Sequence, residues 1–445
     1  MKKFIETLQN IWKIEDLRTR LLITLLFIMI YRFGSYIVLP GIDPNALGAL
    51  KAQTQGGLLG LLNMFTGGAF ANASIFALGI MPYISASIVV QLLTIAVPAF
   101  QKKQREGESG RKWMNQFTRY LTVPILLLQG PSYLINLSVQ LHGVGLPSGF
   151  WFQASSTIIL CAGSMFVMWL GERITDRGIG NGISMIIMIG IIARLPEALL
   201  QEVVSRTGDV GGGYVMLLLE IIALMVVIGL SILLVQGTRK IPVQYAKRVV
   251  GNKQYGGVRQ YIPLKVNAAG VMPIIFAQAI MFIPITVIGF SKVDSVGNFW
   301  RGFTNNDHFL YNAVFFIMIV AFTYFYTAIT VNPKQMAEDM KRNNGFIPGV
   351  KPGKKTSDYL DEIMSRITLP GSVFLAIVAI LPAIARMFKV THGFAQFFGG
   401  TSLLILVGVV LDTLQQIESH LLMRHYDGLL KSGRIKGRSG NIAAY

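Results

Sequence analysis

Residues 56–94 read GGLLGLLNMFTGGAFANASIFALGIMPYISASIVVQLLT. The stretch is apolar enough for a membrane, yet it is broken where a plain span would run on. Gly67 and Gly68 interrupt it once, with Asn63, Thr66 and Asn72 placing amides and a hydroxyl around the break. Gly79 and Pro82 interrupt it again. Backbone broken at membrane depth leaves N–H and C=O groups that lipid cannot satisfy, so such a segment belongs inside protein or against a water-filled cavity. The expectation is a short half-helix over about 58–72, folded into a cavity, followed by a spanning helix. A half-helix that neither spans nor faces lipid can act as a gate. The same residues also permit an extracytoplasmic loop with one surface helix, and residue physics alone leaves both open.

The surrounding chain settles the class. It has 445 residues, 52% hydrophobic and 14% charged, with a mean hydropathy of +0.53. An average soluble domain carries about 25% charge, so this composition predicts an integral membrane protein. Residues 1–20 are expected to form a charged, amphipathic cytoplasmic lead-in without the apolar core and cleavage site of a removable signal. The single cysteine, Cys161, excludes an intrachain disulfide and reads as a small hydrophobe in an apolar run.

Ten segments are apolar enough for spans: 21–39, 74–97, 120–141, 155–170, 183–195, 214–235, 268–290, 311–331, 369–387 and 397–414. Of the 40 Lys and Arg, 32 lie in flanks on one side and 7 in the opposite loops, with Arg32 inside the first span. By the positive-inside rule both termini are cytoplasmic. Five spans (21–195), an extracytoplasmic hinge loop (196–213), five more spans (214–414) and a cytoplasmic tail (415–445) suggest an internal duplication. The second helix of each half is interrupted, by Gly79 and Pro82 in one and by Pro273 and Pro284 in the other. Interrupted helices at matching places mark inverted-repeat folds with the working site between the halves.

A pump needs ionisable groups at depth, and few exist. Arg32 can snorkel, Glu220 lies about two turns into the sixth span, and Glu172, Arg194 and Asp412 sit at span ends. The histidines His142, His308, His392, His420 and His425 read as solvated loop residues. No metal-ligand spacing, nucleophile motif or phosphate loop is present; GIGNG (178–182) follows no strand and reads as a tight turn. No cofactor is expected. Isoleucine recurs at helical spacing, as Ile84 and Ile88 and again as Ile183 and Ile187. Such a stripe packs in a core or faces lipid, or else narrows a pore and holds back water by dewetting; spacing alone does not choose.

Two long basic loops, 237–267 and 332–368, interleave Lys and Arg with aromatics. Topology does not require loops this long. They suit docking of ribosomal RNA through phosphates and stacking, or of an acidic protein, beyond contact with membrane lipids.

Longer motifs then accumulate in order: RFGSYIVLPGID (32–43), FALGIMPYISASI (76–88), EGESGR (106–111), GIGNGIS (178–184) and YAKR (245–248). They continue with PLKVNAAGVMPIIF (263–276), FIPGVKPG (346–353) and FGGTSLLI (398–405). In these the chain resembles the SecY family from end to end. The resemblance implies an all-α membrane protein of ten helices in two inverted five-helix halves, a clamshell around an hourglass pore. It implies passage of unfolded secretory polypeptides and sideways release of apolar segments into lipid. Position by position, it implies a pore ring of Ile84, Ile88, Ile183, Ile187, Ile275 and Ile405, and a plug at Asn63, Met64, Phe65, Thr66, Gly67, Gly68 and Asn72. Gln91, Thr94 and Asn267 become lateral-gate residues. Arg239, Lys240, Lys247, Arg248, Lys253, Arg259, Lys351, Lys354 and Lys355 become docking residues for the SecA ATPase or the ribosome. Small SecE and SecG membrane subunits, signal peptides and a bacterial cytoplasmic membrane follow from the same resemblance. Lys351 stands where the family commonly has arginine, and a lysine offers a point charge in place of a bidentate fork. A solute transporter would need a polar binding cluster at mid-membrane, and an intramembrane protease a catalytic pair; the sequence offers neither.

Overall fold

In lipid each backbone N–H must find a carbonyl within its own segment, so long apolar runs fold as helices. The computed structural model describes residues 12, 14–43, 47, 63–140, 149–207, 213–245, 248–250, 253–255, 259–278, 280–281 and 308–431. The N-terminal half contains α1 (Glu15–Gly34), α2 (Met81–Ala96), α3 (Pro98–Arg105), α4 (Glu108–Gln140), α5 (Phe150–Arg177) and α6 (Gly182–Thr207). The C-terminal half contains α7 (Gly213–Gln236), a helical stretch at 272–278, α8 (Phe309–Thr330), α9 (Pro333–Arg342), α10 (Lys354–Met387), α11 (His392–Ala395) and α12 (Gly400–Lys431). A helix thus stands at the place of each expected span. Seven of the described helical stretches are long and apolar enough to cross a membrane, or eight if the bent pair α2 and α3 is counted as one span. The outer part of the seventh expected span (282–290), the hinge residues 208–212 and the tail beyond 431 lie outside the described residues.

Several boundaries differ from the sequence reading, each for a physical reason. The second span begins at Met81, not at 74, because Pro82 suits the first helical turn. Residues 66–80 form turns instead. Their backbone is satisfied by the chain leaving α1: Leu39 N–H donates to the Ala73 carbonyl at 2.9 Å, and Ile75 N–H to that of Ile37 at 3.0 Å. The half-helix expected over 58–72 is helical at 63–65 and ends there, and 58–62 lie outside the described residues. At the fifth expected span, α6 runs on through Pro196 to Thr207, across most of the expected hinge loop. Its polar end is tolerated because Glu202 and Arg206, one turn apart, pair with each other.

The basic loops are not loops. Residues 237–267 carry β1 (Thr238–Tyr245), β2 (Arg248–Val250), β3 (Lys253–Tyr255) and β4 (Arg259–Lys265); β5 (Gly345–Phe346) comes from the second loop. β1 pairs antiparallel with β4, from Thr238 opposite Lys265 to Gln244 opposite Arg259. β5 adds to the other edge of β1. The alternation was present in the sequence: Ile241 and Val243 point inward while Lys240 and Pro242 face out. Ile241, Val243 and Leu264 pack on Met340 of α9 and on Leu360 and Met364 of α10, giving this platform a core of its own.

Further apolar cores fill each half. Leu126, Leu134, Leu137 and Leu160 anchor the first, and Ile274, Phe315, Ile319 and Leu375 the second. A larger cluster lies between the halves, drawing on α1, α2, α5, α6 and α12.

Candidate functional site

The broken segment after α1 is seated between the halves, and backbone proximity dictates how. Gly67 has φ +64°, a left-handed conformation, and a Cβ there would stand 2.8 Å from the Cα of Gly190 on α6. Conversely, a Cβ on Gly190 would stand 2.9 Å from the Phe65 carbonyl oxygen and 3.1 Å from the Gly67 nitrogen. Only glycine at both positions allows main chain to lie on main chain.

Side chains then fix the segment. Arg32, expected to snorkel from its span, instead donates through Nη1 to the Gly67 carbonyl at 2.9 Å. Its other fork reaches the Tyr36 hydroxyl at 3.1 Å. The buried Tyr31 hydroxyl donates to the Thr66 carbonyl at 3.1 Å, and the Tyr133 hydroxyl to that of Phe70 at 2.9 Å. Asn63 Oδ1 accepts from the Ala71 N–H at 3.0 Å. Thr66 Oγ1 accepts from the Phe70 N–H at 3.2 Å. Polar groups in the break therefore serve its own folding and its attachment, as irregular backbone at depth demands.

On its apolar side, Met64 and Phe65 enter the cluster between the halves, together with Ile84, Ile183, Ile187 and Ile405. Ile183, Ile187 and Gly190 share one face of α6 by their three- and four-residue spacing. Ile88 and Ile275 are half-buried and are not members of that cluster. Asn72 is half-buried in the turns, and Gly68 has φ +92°. Four of the six isoleucines thus share one apolar cluster with the broken segment, and Ile88 and Ile275 lie outside it.

The two halves meet along two seams. At the back, α6 packs against α7, α11 and α12. There Arg206 donates to Glu202 Oε1 at 2.9 Å, to Glu220 of α7 and to the Phe388 carbonyl at 3.1 Å. Glu202 also accepts the N–H of Thr391 at 2.8 Å. Further along, Gly180 N–H donates to Gln416 Oε1 of α12 at 2.9 Å. At the front, α2 packs on α4 and α8 on α10, each within its own half. The Tyr326 hydroxyl of α8 crosses to Gln91 Oε1 of α2 at 3.4 Å. Thr94 turns back to the Gln91 carbonyl of its own helix. The Asn267 side-chain oxygen is buried without a hydrogen-bond partner among the described residues.

On the platform, Arg239, Lys240, Lys351, Lys354 and Lys355 are exposed beside exposed Tyr261 and Phe346. Arg248 lies opposite Tyr255 in the β2–β3 hairpin that Lys253 closes, and Arg259 begins β4. Lys247 lies outside the described residues. Sequence reasoning missed Tyr31, Tyr133 and Gly190 as seats of the broken segment, and missed the Arg206 cluster. Glycine inside the apolar α6 was the available signal for a close backbone approach.

Comparison with known proteins follows the same lines. The SecY family model matches residues 74–414. A protein translocase subunit SecY of Streptomyces galbus is 43% identical over 434 residues, covering 94% of this chain and 98% of the relative. Its counterpart in Mycobacterium bovis is 41% identical, over 97% of this chain and the whole relative. Among solved structures, a SecY channel whose plug domain stabilizes the closed state and maintains a membrane seal superposes with a TM-score of 0.58. It is 17% identical, covering 90% of this chain and 92% of that one. Sec61 in a canine ribosome–channel complex from the endoplasmic reticulum gives a TM-score of 0.53 at 16% identity, with the same coverages. With the family model spanning most of its length, the chain belongs to the SecY family, and it is a multi-pass, protein-conducting channel subunit of the Sec translocase, not an enzyme.

Proposed function

We propose that this channel moves unfolded secretory polypeptides through the constriction between its halves and releases apolar segments sideways between α2 and α8. In this reading the segment from Asn63 to Asn72 is the plug, and Ile84, Ile88, Ile183, Ile187, Ile275 and Ile405 form the ring. The observation that carries it is the meeting of Met64 and Phe65 with Ile84, Ile183, Ile187 and Ile405 in one apolar cluster between the halves. Bulky apolar side chains make few polar contacts with a passing chain, so they tolerate any sequence, and when closed they exclude water.

The channel sits in the bacterial cytoplasmic membrane with both termini cytoplasmic, as the 32-to-7 distribution of its 39 loop and flank Lys and Arg supports. Its platform, with exposed Arg239, Lys240, Lys351, Lys354 and Lys355 beside Tyr261 and Phe346, is the dock for SecA or the ribosome. Drive comes from those partners or from the proton gradient. Lateral opening admits signal peptides past Gln91, Thr94 and Asn267. SecE and SecG complete the complex, and lipid covers the remaining apolar faces. The test is planar-bilayer conductance of the purified complex with residues 63–72 deleted. Raised resting ion leakage supports a plug at this position; unchanged leakage from a correctly inserted complex refutes it.

A further inference from the structure

The charges of the back seam do not balance. Glu202 and Arg206 of α6 and Glu220 of α7 are 1%, 5% and 4% exposed. Two carboxyl groups thus share one guanidinium away from water. A buried charge is costly unless it is paired, and one negative charge is left over if both carboxyls are ionised. From Glu220, α7 runs on to Gln236 beside the β-platform, about 24 Å further along. The cluster therefore lies toward the opposite face.

The two acids are not equivalent. Glu202 Oε1 accepts from Arg206 Nε at 2.9 Å, and its Oε2 accepts both the N–H of Thr391, at 2.8 Å, and that residue's hydroxyl. Three donors on one carboxyl are the surroundings of an anion. Glu220 accepts from Arg206 through Oε1, but its Oε2 is buried with no hydrogen-bond partner among the described residues. Buried polar atoms are nearly always partnered. The two carboxyl groups also stand within hydrogen-bonding reach of each other, and two acceptors bond only with a hydrogen between them. One proton on Glu220 Oε2 cancels the surplus charge. It also gives the partnerless oxygen a hydrogen to donate, with the Glu202 carboxyl in reach.

The neighbouring elements supply no second cation. Glu202 and Arg206 are the charged groups that act on Glu220. Arg386, Lys389 and His392, the ionisable residues where α10 ends and α11 begins, are paired with neither acid among the described residues. α12 has no ionisable residue before Asp412, and α7 has no other charged one. Asp209, between α6 and α7, lies outside the described residues and could only add negative charge.

We infer that this cluster is a proton-binding site: Glu220 carries one proton in this arrangement of the halves, and losing it loosens the back seam. Without the proton, two carboxylates face each other across one guanidinium, and their repulsion acts between α6 and α7. No residue of the proposed ring or plug takes part, so the inference does not rest on them.

The sign of the pH dependence follows. A free glutamic acid ionises at about pH 4.3. Above that, the unfolded chain has released the proton that the folded cluster keeps. Stability then falls as pH rises, about tenfold in the folding equilibrium per pH unit, until the cluster itself ionises.

The experiment uses the purified whole complex. Glu220→Gln copies the protonated acid: its carbonyl accepts from Arg206, and its NH2 stands where the O–H was. Infrared difference spectra against this variant should show, in wild type alone, the C=O band of a protonated carboxylic acid. The wild-type melting point should fall from about pH 5 to about pH 9, and Glu220→Gln should flatten that fall and melt no lower than wild type at the alkaline end. Glu202→Gln turns an NH2 toward donors and should lower the melting point at every pH. The site is overturned by a folded wild-type complex without the band at neutral pH. It is equally overturned if Glu220→Gln fails to assemble, or if its melting point falls with pH as steeply as that of wild type.

Discussion

The back and front seams join the same two halves by opposite means. At the back, Arg206 (5% exposed) ties together the end of α6, α7 and the chain after α10, and α6 lies directly on α12. At the front, α2 and α8 each keep to their own half, bridged by the 3.4 Å contact of Tyr326 with Gln91. A buried, multiply bonded ion cluster is costly to open because each partner left behind is a bare charge. A single long neutral hydrogen bond contributes little. The proposed lateral gate requires a clamp that holds at the back and parts at the front, and the difference between the seams fits that requirement.

The comparison can be broken most severely at the back. Arg206→Ala leaves Glu202 and Glu220 buried without their countercharge, and we expect a loss of about 3–5 kcal/mol. Thermal unfolding in detergent checks it; a melting point equal to wild type would mean that the cluster does not hold the seam. Next in size is the seat of the proposed plug. Arg32→Gln removes a charge-assisted hydrogen bond to the Gly67 carbonyl, worth about 1.5–3 kcal/mol. Resting conductance should rise roughly tenfold or more, while the melting point changes less than in Arg206→Ala. Gly190→Val forces α6 away from Phe65 and Gly67 at a cost of about 1–3 kcal/mol. Its signature is the same leak without loss of a charge, and a tightly sealed Gly190→Val channel would separate the proposed plug from α6. The smallest effect belongs to the front. Tyr326→Phe removes one neutral hydrogen bond, about 0.5–1 kcal/mol, so signal-sequence insertion should change by less than about tenfold and stability hardly at all. A large stability loss there would erase the difference between the seams.

How much of this was legible beforehand depended on whether the determinant was local. Span positions follow from long apolar runs, and each expected span has its helix. The interruption at Gly67 and Gly68 was visible because glycine pairs are local signals. What seats that interruption was not visible: Arg32 and Gly67 are joined across 35 positions, and Tyr133 reaches Phe70 across 63. No spacing rule connects such residues. Arg32 read as a snorkelling side chain because hydropathy treats the span end as lipid-facing, whereas a carbonyl freed by the broken chain was waiting beside it. The end of α6 was misplaced because Glu202 and Arg206 look like loop residues until their pairing with Glu220 and Thr391 is known. The strands of the platform were missed for a different reason. Alternating Ile241 and Val243 were present, but the abundance of Lys and Arg drew the reading to charge and away from period. Lys351 remains exposed on that platform, its carbonyl accepting from Thr356 at 2.9 Å.

The central claim is that a polypeptide passes through the isoleucine ring between the halves. Site-specific crosslinking tests it most directly. Cys161 is the only cysteine in the chain, so Cys161→Ser clears the background and Ile275→Cys places a single thiol at the proposed constriction. With a secretory chain stalled in transit, a crosslink from position 275 that lipid-facing control positions do not give is the predicted result. A complex active in secretion that yields no crosslink from position 275 would contradict it.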